Sequence, residues 1–528
     1  AHPVLTVGIE ETVDATGTDA AVFGTLRRDE GGMRRVLSAL GEAWVAGVDV
    51  DWTTVLTGRR VSLPTYAFQR QRYWLDAPAL PVQGAGGDPV ESRFWDAVER
   101  EDLDELAGTL QLSEAPGVLG SVVPALASWR RERRQRSMVD TWRYRVTWSP
   151  LAGLLASAGL SGTWVVAGRV DDGVVAALSG AGAAVVGLPV DAWSQRDVLA
   201  ERITALGDVS GVVLVTGTAS VVSEELAGVV VLLRALGDAG SDAPLWVATR
   251  GAVAVGASDR AGDPVQAAVW GLGRVAALEY PQRWGGLVDL PETIDARAGD
   301  RLAAVLAAGH GEDQIAVRGS GLFGRRLVRA TPAAVTDAGW HPSGTVLITG
   351  GTGALGSEVA HWLAGRGVPH LVLTSRTGVA PDGLVEELAT LGARVTVAAC
   401  DVADRDALAR VVADVPVDVP LTGIVHAAGL DAPQLLDDVT PQELSSVLRA
   451  KVDGTVHLDE LTEGLPLRLF VVFSSGAAVW GSGGQAAYAA GNAFLDAWVE
   501  RRRERGLAGT SVAWGAWDGA GMAVRGGA

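Results

Sequence analysis

Lysine, asparagine and cysteine are nearly missing from this chain of 528 residues: each occurs once, as Lys451, Asn492 and Cys400. One cysteine excludes a disulfide framework and a cysteine-built zinc site, and it fits a reducing, cytoplasmic compartment. The seven histidines show no ligand spacing, so no metal is expected. No apolar run reaches the roughly 20 residues of a membrane span without glycine or charge breaking it, which argues against a membrane partner. Basic residues are outnumbered, 44 to 62, giving a formal charge of −18. Such a surface repels phosphate backbones, so nucleic acid is not the main partner.

Arginine supplies all the other positive charge. It can replace lysine in surface solvation, and Asp, Ser or Gly can replace asparagine in most caps and turns. The lone Lys451 and Asn492 are read either as places where substitution fails or as survivors of drift. The rest of the composition is that of a folded protein, since 48% hydrophobic residues are enough to fill several cores. At roughly 150 residues per domain, three or four domains are expected. The chain begins with Ala1 and shows no signal peptide, and both ends read as cuts through a longer polypeptide.

Composition and periodicity divide the chain into a mixed segment 1–78, a linker, a helical stretch 90–136, and two halves from Trp142 to about Val335 and from Gly344 onward. The first segment ends in the aromatic stretch Leu63–Leu75, followed by a linker marked by Pro78, Pro81 and Gly84–Gly87. Residues 90–136 show helical periodicity through Phe94, Trp95, Val98, Leu103, Leu106 and Leu110. A second helix is predicted to run to Trp129, with Arg130–Arg136 as its solvated end. Such a helical pair with apolar stripes suits an interaction element between chains, so a homodimer through 90–136 is expected. From Trp142 to about Val335 apolar strands alternate with helices, among them Thr163–Ala167, Gly211–Val215 and Leu245–Ala248. The pattern repeats from Gly344 onward, with strands at Thr345–Ile348, His370–Leu373, Arg394–Ala398, Gly423–His426, Leu469–Phe473 and Ser511–Trp514. The fold class is α/β: two consecutive Rossmann-like doubly wound parallel sheets.

The halves differ where a cofactor would bind. The first strand of the earlier half is followed by Gly168-Arg169-Val170-Asp171, with no glycine fingerprint, so this half reads as structural. In the later half Thr349-Gly350-Gly351-Thr352-Gly353-Ala354-Leu355-Gly356 stands at a strand-to-helix turn. Glycines there let the backbone turn sharply and a pyrophosphate approach, and the helix N-terminus supplies amides and positive dipole. The next strand ends in Ser375-Arg376, where an acidic residue would select NAD. Arginine pairs instead with a 2′-phosphate, so the expected cofactor is NADPH. Asp401-Val402 should lie beside the adenine, and His426-Ala427-Ala428-Gly429 should permit close cofactor approach, with His426 structural rather than catalytic.

Ser475 closes the fifth strand of the later half; Tyr488 follows by thirteen positions and Asn492 by four more, on the same helical face. Lys451 lies on the preceding helix. With these residues the chain resembles a short-chain dehydrogenase/reductase, and more narrowly the ketoreductase domain of a bacterial modular type I polyketide synthase. In most short-chain reductases lysine follows the tyrosine by four and asparagine lies earlier; in polyketide ketoreductases the two are exchanged, as Lys451 and Asn492 are here. The resemblance implies a catalytic set of Lys451, Ser475, Tyr488 and Asn492, with Lys451 and Tyr488 also touching the cofactor. Hydride reduction of a ketone builds charge on oxygen, which Ser475 can hold and Tyr488 can protonate. A neighbouring ammonium is expected to lower the phenol's pKa of about 10.

The resemblance extends along most of the chain. It makes 1–85 an acyltransferase end and linker, 86–137 a dimerisation element, 138–335 the structural subdomain and 336–528 the catalytic subdomain. In the family a lid, a further helix and a last strand follow Gly521-Met522-Ala523, so the resemblance implies that this chain lacks the C-terminal end of the catalytic subdomain. The implied function is reduction of a β-ketoacyl chain on an acyl carrier protein, beside acyltransferase and ketosynthase domains, in antibiotic-type biosynthesis. The Leu-Asp-Asp motif of B-type domains is missing at Asp431-Ala432-Pro433, whereas Trp480 stands eight residues before Tyr488 and Gln485 three before it. That pattern implies an A-type, non-epimerising enzyme giving an L-hydroxyl, with Trp480 and Gln485 guiding the substrate. The alternatives are a stand-alone dehydrogenase of small alcohols, disfavoured by the exchanged Lys and Asn, and a scaffold without reductase activity, disfavoured by the intact tetrad.

Overall fold

The computed structural model describes residues 32–52, 89–110, 116–151, 159–190, 195–217, 221–256, 259–307, 311–330 and 343–517, with scattered positions between 9 and 25. The stretch 63–75, the linker at 78–87 and the segment 521–523 lie outside the described residues. The chain forms two compact units, 1–120 and 121–528.

In the first unit, helices α1 (Met33–Val45), α2 (Pro89–Glu99) and α3 (Leu103–Thr109) are described, along with the start of α4 (Pro116–Trp142). Asp102 begins α3 by accepting the Glu105 N–H at 3.0 Å. Ala97, Val98 and Leu106 are the buried residues of α2 and α3. Helix α4 does not end at Trp129 as predicted. It runs on through the arginine run to Trp142, so that run is a stretch of helix interior, with residues 131–136 exposed and Arg130 half-buried.

The second unit opens with β1 (Tyr144–Pro150), β2 (Thr163–Gly168), α5 (Asp172–Gly180), β3 (Ala184–Leu188), α6 (Arg196–Ala205), β4 (Val209–Val215), α7 (Val222–Asp238) and β5 (Leu245–Arg250). It continues with α8 (Pro264–Glu279), β6 (Trp284–Leu290), α9 (Ala296–Leu306), β7 (Gln314–Arg318) and β8 (Gly321–Arg329). These strands form one sheet in the order β1-β8-β7-β6-β5-β4-β2-β3. The β2–β7 part is parallel, and β8 and β1 add an antiparallel edge that the alternation of strand and helix did not announce. Around β2 the order is that of a doubly wound sheet without its outermost strand.

The later half holds β9 (Thr345–Thr349), α10 (Ala354–Gly365), β10 (His370–Ser375), α11 (Leu384–Thr390), β11 (Arg394–Ala399), α12 (Arg405–Ala413) and β12 (Leu421–His426). Then come α13 (Pro441–Leu461), β13 (Leu469–Ser475), α14 (Gly476–Trp480), α15 (Ala486–Glu504) and β14 (Thr510–Trp514). The sheet order is β11-β10-β9-β12-β13-β14, parallel throughout. This is the strand order of a dinucleotide-binding fold, with its crevice where the order reverses between β9 and β12. Every residue of β9 is buried, as expected of a parallel strand covered on both faces. All six strands expected after Gly344 are present, each within two residues of its predicted end.

The two halves share a core. Side chains of α7 and α8 pack in one cluster with Leu436, Val439, Leu444, Leu448, Ala489 and Phe494. Gly271 permits this: a Cβ there would lie 2.5 Å from the carbonyl oxygen of Ala489 on α15.

Candidate active site

The strand order puts the ends of β9, β10, β12 and β13 along one rim, and the glycine turn after Thr349, Ser375-Arg376, His426–Gly429 and Ser475 fall at these ends. After β9 the chain turns at Gly350, whose φ of +69° suits glycine. A Cβ on Gly350 would meet Ala428 N at 2.9 Å, so the turn lies against the end of β12. A Cβ on Gly356 would lie 2.2 Å from Gly350 O, which is why α10 can start so close beneath the turn. Gly353 caps α10 with no side chain, so the first amides of a 12-residue helix have no capping partner. Thr352, Ala354 and Leu355 stay partly accessible there, while Gly351 donates to Thr374 O at 3.0 Å and ties the turn to β10.

The earlier half shows the contrast. Its corresponding helix, α5, is capped by its own Asp171, which accepts the Val174 N–H at 3.0 Å and pairs with Arg250 at 2.8 Å. The place an anion would take is filled from within, which accounts for a Rossmann half without a glycine fingerprint.

Around the rim, Ser375 accepts the Gly378 N–H at 3.2 Å, and Arg376 beside it is exposed with no ion-pair partner among the described residues. Asp401 is exposed and accepts the Ala403 N–H at 3.0 Å, next to buried Val402. Thr349 and His426, expected at the cofactor, are instead wholly buried and bonded to each other at 2.6 Å. Burial holds the His426 imidazole near a pKa of about 3, so it is neutral, and the pair ties β9 to β12 at the crevice. Ala427 donates to Thr349 O at 3.0 Å in the same tie. A Cβ on Gly429 would stand 3.0 Å from Lys451 Cε; glycine there leaves room for the lysine.

The four catalytic candidates converge from α13, β13 and α15. Lys451 is buried on α13 with Nζ donating to Phe473 O at 2.9 Å, and Nζ sits 5.4 Å from the centre of the Tyr488 ring. Burial lowers its pKa to about 8, opposed by the buried carboxyl of Asp496. Burial raises the Tyr488 phenol above its ordinary value, against neighbouring Ser475 and Asn492, which favour the phenolate. The expected acidification by Lys451 is not seen: desolvation dominates, and the groups that favour the phenolate are Ser475 and Asn492. A phenol held protonated at neutral pH is nonetheless what a proton donor must be. Ser475 accepts the Ala477 N–H at 3.2 Å as the cap of α14, which leaves its hydroxyl proton free to point elsewhere. Asn492 donates to Tyr488 O at 2.8 Å, one turn back on α15, while its own Oδ1 is buried without a partner. This buried acceptor, one turn from the phenol, is open to a hydrogen-bond donor.

The two residues expected to guide substrate part company. Gln485 donates to Asp431 Oδ2 at 2.7 Å, and Asp431 acts electrostatically on Tyr488. Trp480 is 57% exposed and lies over Gly476. It lines a groove of about 1960 Å³ with Trp142, Arg325, Trp514 and Trp517, and none of Lys451, Ser475, Tyr488 or Gln485 lines that groove. Asp431 and Asp496 were missed as site residues. Asp496 had a legible signal: it continues the four-residue spacing of Tyr488 and Asn492 on α15. Asp431 had none, since its partner is 54 positions away. Among the described residues no cluster of side chains could hold a metal ion, and no helix is long and apolar enough to cross a membrane.

Comparison with known proteins places three family models on the chain. The KR domain matches residues 344–519, the polyketide synthase dimerisation element domain 91–136, and the Rossmann fold domain of polyketide synthase extender module SpnB 146–327. Polyketide synthase GfsA of Streptomyces halstedii is 49% identical over 99% of this chain, which spans 7% of that protein. Pikromycin polyketide synthase component PikAIII of Streptomyces venezuelae is 44% identical over 99% of the chain, which spans 30% of it. Among solved structures, an A1-type ketoreductase is 46% identical with a TM-score of 0.67, covering 73% of this chain and 84% of its own. A C2-type ketoreductase from a modular polyketide synthase scores 0.66 at 43% identity over 73% of this chain and 86% of its own, so overall likeness does not separate the types.

Proposed function

The chain belongs to the ketoreductases of modular polyketide synthases, nicotinamide-dependent Rossmann-fold oxidoreductases, and from that premise we propose that it reduces a β-ketoacyl thioester on an acyl carrier protein, using NADPH, during polyketide chain extension. The observation that carries this reading is the meeting of the chain's one lysine and one asparagine around Tyr488 in a single buried site.

NADPH fits the residues present. The cradle of Gly350, Gly351 and Gly356 and the uncapped start of α10 would take its pyrophosphate, and unpaired Arg376 with Ser375 its 2′-phosphate. Asp401 and Val402 would flank the adenine. When bound, the cofactor supplies the hydride that adds to the β-carbon. The carbonyl π pair then becomes an alkoxide lone pair on oxygen. Ser475 donates a hydrogen bond to that oxygen, and Tyr488 transfers its phenolic proton to it, leaving the product hydroxyl and a phenolate. Lys451 stabilises the phenolate by charge, and Asn492 holds the acceptor site through which a proton returns. Trp480 and the missing Leu-Asp-Asp motif at Asp431-Ala432-Pro433 support the A-type reading with an L-hydroxyl, with Gln485, braced by Asp431, acting beside Tyr488 and Trp480 from the groove side. The neighbouring synthase domains and a dimer through 90–136 belong to the same proposal.

The test is NADPH oxidation with a β-ketoacyl thioester. Tyr488→Phe should lower turnover about a hundredfold or more. Arg376→Ala should weaken NADPH binding about tenfold while leaving NADH binding unchanged. Turnover indifferent to Tyr488→Phe rejects the mechanism; equal loss of both cofactors rejects the role of Arg376.

A further inference from the structure

Two segments of the later half flank Tyr488 without regular structure of their own: 430–439 after β12, and 481–485 before α15. Their backbones meet at an isolated bridge, Gln434 with Gln485, in which the Gln434 N–H donates to Gly484 O at 2.6 Å. Further backbone groups of both segments are taken by side chains of the earlier half. Glu279, the last residue of α8, accepts the Leu436 N–H at 2.7 Å through one carboxylate oxygen and the Gly484 N–H at 2.8 Å through the other. Arg234 on α7 donates to Leu436 O at 2.7 Å and to Val439 O at 2.8 Å. Leu436 is thus gripped on both its N–H and its carbonyl, and its side chain is buried in the shared core.

A carboxylate at a helix C-terminus sits against the helix dipole. Glu279 stands there and is tied to two donors, one on each segment, so its position fixes the gap between them. Across that gap runs the bond from Gln485 to Asp431, which sets the orientation of the Gln485 amide three residues before Tyr488. We propose that Glu279, seconded by Arg234, is a positioning residue for the reduction: it sets the spacing of the segments carrying Asp431 and Gln485, and so the carbonyl face presented at Tyr488. The half that lacks a cofactor fingerprint thereby takes part in substrate specificity. This inference rests on the reading of the site as a β-ketoacyl reductase. The sensitivity is plausible because an offset near 1 Å at a reacting centre costs about a hundredfold.

The experiment compares wild type, Glu279→Gln, Arg234→Gln, Gln485→Ala and the double variant Glu279→Gln/Gln485→Ala. In Glu279→Gln, hydrogen exchange at the amides of Leu436 and Gly484 should quicken about tenfold. KM for the thioester should rise about tenfold, NADPH affinity should stay within about twofold, and the minor hydroxyl stereoisomer should increase. Arg234→Gln should reproduce the changes in KM and product ratio, and Gln485→Ala should add nothing to Glu279→Gln. Unchanged KM and product ratio in Glu279→Gln would overturn the proposal, as would additive effects in the double variant. If Glu279→Gln does not fold, Arg234→Gln decides by the same readouts. If wild type reduces no β-ketoacyl thioester, the functional reading falls, while amide exchange at Leu436 and Gly484 still decides whether the clamp exists.

Discussion

A buried ammonium is an expensive group, and Lys451 shows what the site trades for it. Its folded pKa of about 8 lies below the ordinary 10.5. Between those values the unfolded chain binds a proton that the folded chain does not, so stability rises with pH through that window. Below about 8 the whole cost is present, roughly 3 kcal/mol for such a shift. Lys451→Met should therefore abolish reduction while raising the melting temperature at pH 7 by a few degrees, with the gain shrinking toward pH 10. Calorimetry at the two pH values decides this, and a lower melting temperature at pH 7 would contradict the cost. In wild type, reduction should decline above about pH 8 as the ammonium loses its proton. The identity of these residues was legible because lysine and asparagine are so rare in this chain. The direction of the Tyr488 shift was not, because desolvation depends on what α13, α15 and β13 stack around the ring.

Helix starts separate the two halves more sharply than their sheets do. Asp171 closes the start of α5 with its own carboxylate, whereas Gly353 leaves α10 open. Both were readable in the sequence, one as a missing fingerprint and the other as a glycine turn, since a strand-to-helix junction has few ways to be built. Other elements were not readable. The edge strands β1 and β8 pair across 185 positions at their Tyr144–Arg329 end, and no local pattern encodes such a partner. The Arg130–Arg136 run reads as a helix end by charge, yet α4 passes through it, because arginine is a good helix former and nothing there breaks the helix. On α10, Gly356→Val would place its branched side chain against Gly350 O and Gly351 Cα, which are backbone and cannot yield cheaply. It should cost about 1–3 kcal/mol and weaken NADPH binding more than tenfold. Gly365→Ala, at the far end of the same helix with nothing within 4 Å of its Cβ, should bind NADPH as wild type does. Fluorescence titration of both variants tests the cradle, and equal affinities would count against it.

At the scale of the second unit, the two Rossmann halves form one structure rather than two domains in contact. Their common core runs from α7 and α8 into α13 and α15. Buried Arg274 on α8 donates to the carbonyl of Ala478, and Arg325 on β8 to that of Val479 at 2.8 Å. Both guanidiniums thus meet the C-terminal carbonyls of α14, where positive charge is favoured. Residues of the half without a fingerprint therefore hold the helix that follows Ser475, just as Glu279 and Arg234 hold the segments beside Tyr488. Such sharing predicts joint unfolding: amides of β2–β7 and of β9–β14 should lose protection in one transition as denaturant rises. Gly271→Ala should lower the midpoint for both sets together, by about 1–3 kcal/mol, because its Cβ drives α8 away from α15. It should also slow reduction, although residue 271 is in neither the cradle nor the tetrad. Protection that persists in β9–β14 after β2–β7 has melted would show that the later half stands alone, and the division of labour between a bracing half and a reacting half would then need another physical basis.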